Sequence, residues 1–94
     1  MEHLLEFYGE ECPHCITMRG FSLRLEKEEG IKIKRYEIWH NKDNEKIYEE
    51  HDKDPENPGE PLCGGVPFFY NTKTKKFVCG DSSYEELKDW AMGK

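Results

Sequence analysis

The chain has no long hydrophobic run. No apolar stretch among its 94 residues approaches the roughly 18 residues that a membrane-spanning helix needs, so we expect no membrane association. The N-terminus also lacks a basic segment followed by a long apolar one, as a signal peptide would have. These two absences predict a cytoplasmic protein.

Positive charge is in the minority. Lys and Arg together number 14 against 20 Asp and Glu, which gives a formal net charge of -6. This balance argues against a nucleic-acid backbone as partner. Two groups of basic residues are interpreted as the solvated face of a strand and the tip of a hairpin; they are Lys32, Lys34 and Arg35, and Lys73, Lys75 and Lys76.

The cysteines do not form two close pairs. Cys12 and Cys15 are two residues apart, whereas Cys63 and Cys79 stand far apart. Structural zinc usually takes two close ligand pairs, and a disulfide scaffold is typical of secreted proteins. We interpret Cys63 as inert or weakly regulatory and Cys79 as a core residue.

Composition predicts one folded domain over residues 1–94. Hydrophobic residues make up 35% of the chain and charged residues 36%, so the core is modest. Aromatic residues, at 13%, partly compensate because each ring buries a large area. The chain shows no internal repeat.

The first half of the chain predicts a strand, a helix and a second strand. The strand covers His3 to Tyr8, and the helix runs from Pro13 to Glu29 with Gly30 as its terminator. The apolar side of the helix is predicted to contain Ile16, Met18, Phe21, Leu23 and Leu25. Ile31 to Trp39 is the second strand, and its alternation changes phase in a way consistent with a bulge.

The second half predicts a short helix, a hairpin and a last helix. Asn41 or Asp43 caps a helix that ends near His51, and a long loop follows to Gly65. The hairpin strands are 66–70 and 76–79, and Ser82 or Ser83 caps the last helix. The order βαβα-ββα predicts an α/β fold with a four-stranded mixed sheet, parallel in its first half.

Cys12-Pro13-His14-Cys15 is the chemically informative motif. It lies between the first strand and first helix, where free backbone N–H groups favour a Cys12 thiolate. The position predicts an exposed Cys12 that attacks and a more buried Cys15 that resolves the mixed disulfide. His14 is expected to favour the thiolate, and the adjacent Glu10 and Glu11 to oppose it.

Three segments of the chain resemble the thioredoxin superfamily. Residues 4–15 resemble the strand-and-motif segment of thioredoxins and protein disulfide isomerases. Gly65-Val66-Pro67 resembles the cis-proline loop, and residues 79–83 resemble the glycine-containing step into the last helix. The short chain is closer in plan to glutaredoxins and archaeal mini-thioredoxins than to full thioredoxins. The resemblance implies a three-layer α/β/α sandwich and a thiol-disulfide oxidoreductase.

The resemblance also implies roles for individual residues. Glu6 matches a buried carboxyl that accepts the proton of Cys15, and an apolar strand should not carry an unpaired charge. Pro67 is expected to be cis, and the Val66 backbone to pair with an extended substrate. Pro13 and His14 match strongly oxidising periplasmic thiol oxidases, which predicts a potential more oxidising than that of thioredoxin.

The implied partners are disulfide-containing protein substrates and an electron donor, either a reductase or glutathione. Asp81 and Ser82 lie where glutaredoxins bind the γ-glutamyl end of glutathione, although capping alone explains Ser82. We expect a monomer with no cofactor other than its redox-active disulfide and no metal. His3, His40 and His51 have no ligand spacing and are interpreted as surface or packing residues.

Two alternatives use the same fold differently. Cys12, Cys15 and Cys63, with His14 or a second chain, could hold zinc or an iron–sulfur cluster. A degenerate adaptor without redox chemistry is the other alternative, and the intact cysteines argue against it.

Overall fold

The computed structural model describes residues 3–94. The helices and strands follow the predicted βαβα-ββα order. They are β1 (Leu4–Tyr8), α1 (Pro13–Glu29), β2 (Lys34–Glu37), α2 (Lys42–His51), β3 (Phe68–Asn71), β4 (Phe77–Cys79) and α3 (Tyr84–Met92).

The strands form one four-stranded mixed sheet in the order β2-β1-β3-β4. β1 pairs in parallel with β2, from Leu5 opposite Lys34 to Tyr8 opposite Glu37. β3 is antiparallel to both β1 and β4. β1 is therefore a central strand, as its apolar residues on both faces predict.

Helices cover both faces of the sheet. On one side α1 and α3 enclose a cluster that includes Leu4, Met18, Phe69 and Trp90. On the other side Leu5, Phe7, Ile38 and Phe68 are buried, with Ile47 and Tyr48 of α2 packed against them. Alternate residues of β1 thus face opposite layers, and the predicted α/β/α sandwich is confirmed.

Local sequence signals set the helix ends. Pro13 occupies the first turn of α1, where its missing N–H costs nothing, and Gly30 ends the helix at φ 63°. Asn41 caps α2 through a bond from the Asn44 amide. Ser83 caps α3 through a bond from the Glu86 amide, so the capping residue is Ser83 rather than Ser82.

Two details of the predicted first half are wrong. The pairing of β1 with β2 runs without interruption from Lys34 to Glu37, so no bulge is present in that ladder. Ile16 and Leu23 are exposed, at 66% and 53%, because α1 buries Cys15, Met18, Ser22 and Leu25 instead. None of the helices within residues 3–94 combines the length and apolar character that a bilayer crossing requires.

Candidate active site

Cys12 is the N-cap residue of α1. Its Sγ accepts a hydrogen bond from the Cys15 backbone amide at 3.2 Å. Its own amide donates to the Gly9 carbonyl at 3.1 Å, and its carbonyl accepts the bond from the Ile16 amide that begins the helix. The sulfur therefore faces the positive end of a 17-residue helix and a backbone donor, both of which favour an anion.

Both cysteines of the motif are free and buried. Cys12 is 4% exposed and Cys15 is 2% exposed. The prediction of an exposed Cys12 is therefore wrong for this dithiol form. Reaction with a large substrate requires that the groups covering Cys12 move or are themselves part of the docking surface.

Cys15 is held as a thiol. Burial is the main cause that raises the pKa of Cys15 to about 12. The interactions of Cys15 with Cys12 and the negative charge of Glu6 act in the same direction. A bond with the Gly9 backbone opposes the shift without cancelling it. Cys15 thus favours the protonated form, and the roles predicted for the two cysteines stay predictions.

The Val66 carbonyl contacts Cys12 Sγ. The Val66 carbonyl lies 3.9 Å from Cys12 Sγ, within reach of a weak S–H···O contact. The Val66–Pro67 peptide bond is cis, as predicted. Pro67 is buried, and its carbonyl accepts the Gly80 amide at 2.8 Å, which ties this turn to the end of β4.

His14 bonds to Asp81 across the site. His14 Nδ1 donates to Asp81 Oδ2 at 2.6 Å, with both side chains more than half exposed. Among the hydrogen bonds of residues 3–94, the imidazole thus pairs with a carboxylate and not with Cys12 Sγ. From the sequence, Asp81 is expected only as a glutathione contact, and its pairing with His14 is a finding of the structure.

Two acidic residues near Cys12, Glu11 and Glu37, accept hydrogen bonds. Glu11 accepts from His40 Nε2 at 2.7 and 2.8 Å. Glu37 accepts from the backbone amides of Glu10, Trp39 and His40. The Glu11 charge is therefore partly offset by a neighbour that the spacing of the histidines did not reveal, and His40 is not an isolated surface residue.

We expect His40 to titrate above its ordinary range. The hydrogen bond between His40 and Glu11 is the main cause, and the negative charge of Glu11 adds to it; together they raise the pKa of His40 above 6.5. Because the folded-state pKa is raised, the stabilisation is full at pH values below 6.5 and is lost as the pH rises through the folded value. NMR titration of the His40 ring measures its pKa. The variant Glu11→Gln should return that pKa towards 6.5. An identical titration in the variant would contradict the pairing of His40 with Glu11.

Glu6 is buried and paired. It is 0% exposed, and its two carboxylate oxygens accept from Arg35 Nε at 3.1 Å and Arg19 Nε at 3.3 Å. Arg35 also donates to Ser22 and to Glu26. The premise that Glu6 is an unpaired charge is therefore wrong, and so is the interpretation of Arg35 as part of a solvated strand face.

Trp39 packs on Gly9 beside the motif. A Cβ on Gly9 would lie 2.2 Å from Trp39 Cδ2, so only glycine allows this packing. Trp39 is nevertheless 50% exposed. Next to it a cavity of about 520 Å³ reaches Cys15; it is lined by Tyr8, Gly9, Glu10, Cys15, Ile16, Arg19 and Glu37. Sequence reasoning missed this surface, since a glycine after a strand predicts only a turn.

Cys63 and Cys79 form a disulfide, with Cα atoms 5.4 Å apart. The interpretation of Cys79 as a core residue is therefore wrong, and Cys63 is not a free inert thiol; its weakly regulatory role stays a prediction. Cys79 is exposed at the end of β4, and its partner Cys63 lies in the loop before Pro67. The bond also leaves Cys63 unable to ligate a metal together with Cys12 and Cys15.

Asp52 holds the same loop from the other side. Its carboxylate accepts the amides of Cys63 at 2.7 Å and Gly64 at 2.9 Å. Tyr48 donates its hydroxyl to Asp52 and also lies 3.3 Å from the Gly65 carbonyl. Asp52 is 8% exposed, so this buried carboxylate fixes the segment that leads to Val66.

Comparison with known proteins supports the fold. A crystal structure of a glutaredoxin from Archaeoglobus fulgidus superposes with a TM-score of 0.60 at 22% sequence identity, over 97% of this chain and 87% of that one. No protein-family model matches the chain, and no curated protein matches it. The likeness shows a glutaredoxin-like fold. Within this chain, Cys12 and Cys15 lie close together, with the Cys15 amide 3.2 Å from Cys12 Sγ.

Proposed function

We propose that the protein is a thiol-disulfide oxidoreductase that uses Cys12 and Cys15 as a reversible dithiol-disulfide couple. The observation that carries this proposal is the inequality of the two sulfurs. Cys12 Sγ receives a backbone hydrogen bond at the start of α1, whereas Cys15 is a buried thiol with a pKa raised to about 12. Cys12 is suited to attack a substrate disulfide, and Cys15 is suited to stay protonated until the second step.

The proposed reaction has two exchange steps. The Cys12 thiolate attacks one sulfur of a substrate disulfide, forms a mixed disulfide and releases the other substrate sulfur, which takes up a proton. Cys15 then loses its proton, attacks Cys12 Sγ and releases the second substrate thiol. The substrate gains two electrons and two protons, and the protein is left with a Cys12–Cys15 disulfide.

Neighbouring residues support these steps. Pro13 starts the helix at Cys12, and Val66 offers backbone groups beside the sulfur where an extended substrate could pair. Pro67 holds that turn. His14 is proposed to favour the thiolate form of Cys12 while it is paired with Asp81. Glu6 is proposed to act on the proton of Cys15 through its charge, which contributes to the raised pKa of that thiol.

The proposed substrates are protein or small-molecule disulfides in the cytoplasm, and the electron donor is a reductase or glutathione. Asp81 is already engaged by His14, so glutathione binding through that carboxylate would compete with an existing bond. The proposal needs no metal and no partner chain.

The direct test is reduction of a protein disulfide by the purified protein in the presence of a dithiol donor. We expect turnover with oxidised insulin or a similar substrate, and one Cys12–Cys15 disulfide per chain when the donor is omitted. Metal analysis of anaerobically purified protein accompanies the assay. Stoichiometric zinc or iron that is lost in Cys12→Ser would overturn the proposal in favour of a metal-binding module.

A further inference from the structure

The Cys63–Cys79 disulfide is not used by the proposed reaction, yet it is open to solvent. Cys79 is exposed at the end of β4, and Cys63 is half-buried in the loop before Pro67. Cys79 is therefore the more exposed half of the disulfide. Exposed disulfides of this kind are more easily reduced than buried ones.

Each half of this disulfide leads within a few residues to a contact with the active-site motif. Three residues after Cys63, the Val66 carbonyl covers Cys12 Sγ at 3.9 Å. Two residues after Cys79, Asp81 accepts the bond from His14 at 2.6 Å. The disulfide thus joins the two segments that touch the motif from outside α1.

The structure also allows the bond to open without unfolding. The Cys63 amide is held by Asp52, independently of the sulfur. Cys79 stays paired with Phe68 in the sheet, and the Gly80 amide donates to the Pro67 carbonyl. Opening would free the two side chains and remove the covalent tie between the Val66 turn and the end of β4, while these backbone bonds keep the fold.

We propose that Cys63–Cys79 is a second site of thiol-disulfide exchange, reduced by a small monothiol such as glutathione, whose opening uncovers Cys12. The first thiolate attacks Cys79 Sγ, and Cys63 leaves as a thiolate that takes up a proton. A second thiol attacks the mixed disulfide, frees Cys79 and departs as the oxidised monothiol. The regulatory half of this inference rests on the proposed function of Cys12.

The first experiment isolates the second couple from the first. The variant Cys12→Ser/Cys15→Ser is equilibrated in a series of glutathione redox buffers, quenched with a thiol-trapping reagent and weighed by mass spectrometry. We expect a reversible two-electron transition at Cys63 and Cys79 with the far-UV circular dichroism unchanged. A disulfide that resists every buffer until the protein unfolds would overturn the proposal, whatever the proposed function does.

The second experiment reads the effect on Cys12. Wild-type protein is poised where the second couple is half reduced and is given a brief pulse of iodoacetamide. Only molecules in which Cys12 and Cys15 are both thiols are compared, separated by mass according to the state of Cys63 and Cys79. We expect Cys12 to be alkylated at least about threefold faster when Cys63 and Cys79 are reduced, because the Val66 carbonyl no longer covers the sulfur. Equal rates would overturn the coupling. This measurement needs no substitution, so a folding defect cannot obscure it.

The disulfide could affect the motif through the contact of Val66 with Cys12 or through the contact of Asp81 with His14, and a matched variant separates these two routes. Asp81→Asn removes the carboxylate that His14 contacts and leaves the disulfide in place. If the Val66 route dominates, the threefold difference should persist in Asp81→Asn to within about a factor of two. If the difference disappears, the route through Val66 is wrong. Failure of Cys12 and Cys15 to form any disulfide would refute the proposed function and leave the first experiment interpretable.

Discussion

Replacing Cys12 with serine should lower the rate of protein-disulfide reduction by on the order of a hundredfold or more, because the attacking sulfur is removed. Replacing Cys15 with serine should leave the attack intact and block the second step. With a protein disulfide as substrate and no monothiol present, Cys15→Ser should accumulate a covalent mixed disulfide at Cys12. Non-reducing electrophoresis and mass spectrometry of the adduct measure this difference.

The control for that experiment is the double variant Cys63→Ser/Cys79→Ser, which retains the motif. Its rate should change by no more than several-fold, since these cysteines lie outside the proposed reaction. A mixed disulfide with the substrate that also forms in Cys12→Ser protein would show that another cysteine attacks. Full turnover by Cys15→Ser without a monothiol would show that Cys15 is not the resolving residue.

Replacing Glu6 with glutamine should destabilise the fold by about 3 kcal/mol, because Arg19 and Arg35 would lose their common anion. The carboxylate is 0% exposed and the two arginine side chains are 31% and 20% exposed, so water compensates only in part. Urea unfolding should show a lower midpoint with an unchanged m value. The same variant should lower the pKa of Cys15, since the Glu6 charge contributes to its rise.

An exposed ion pair provides the control. Lys88 lies 3.4 Å from Glu29, with the two side chains 39% and 26% exposed. Lys88→Gln should cost less than about 1 kcal/mol, since solvated pairs contribute little. If Glu6→Gln and Lys88→Gln lower the free energy of unfolding equally, the bonds of Glu6 in β1 to Arg19 of α1 and Arg35 of β2 do not stabilise the fold more than an exposed pair does.

The order of elements could be predicted because each one carries a local signal. The apolar run of β1, Pro13 at the start of α1 and Gly30 at its end depend on neighbouring residues alone. The dithiol followed from the same signals, since a motif between a strand and a helix must lie at a helix N-terminus. The prediction was wrong for Ile16 and Leu23, because α1 turns Cys15, Met18, Ser22 and Leu25 towards the core instead.

The partners of the site residues could not be predicted because they are distant in sequence. Glu6 meets Arg35 from the neighbouring strand, and His14 meets Asp81 from beyond β4. The pairing of Cys63 with Cys79 likewise cannot be read from spacing, since connectivity depends on which loop the fold brings to β4. Each of these contacts depends on tertiary structure, which single-sequence patterns do not encode.

The redox equilibrium of Cys12 and Cys15 with glutathione, followed by thiol trapping and mass spectrometry, tests whether the two residues form a reversible couple. We expect a two-electron transition between about −270 mV, the thioredoxin value, and about −120 mV, that of the strongly oxidising periplasmic enzymes. The peptide containing both cysteines should gain and lose one disulfide reversibly. A dithiol that stays reduced in every buffer, or that never forms an intramolecular bond, would show that Cys12 and Cys15 are not a redox couple.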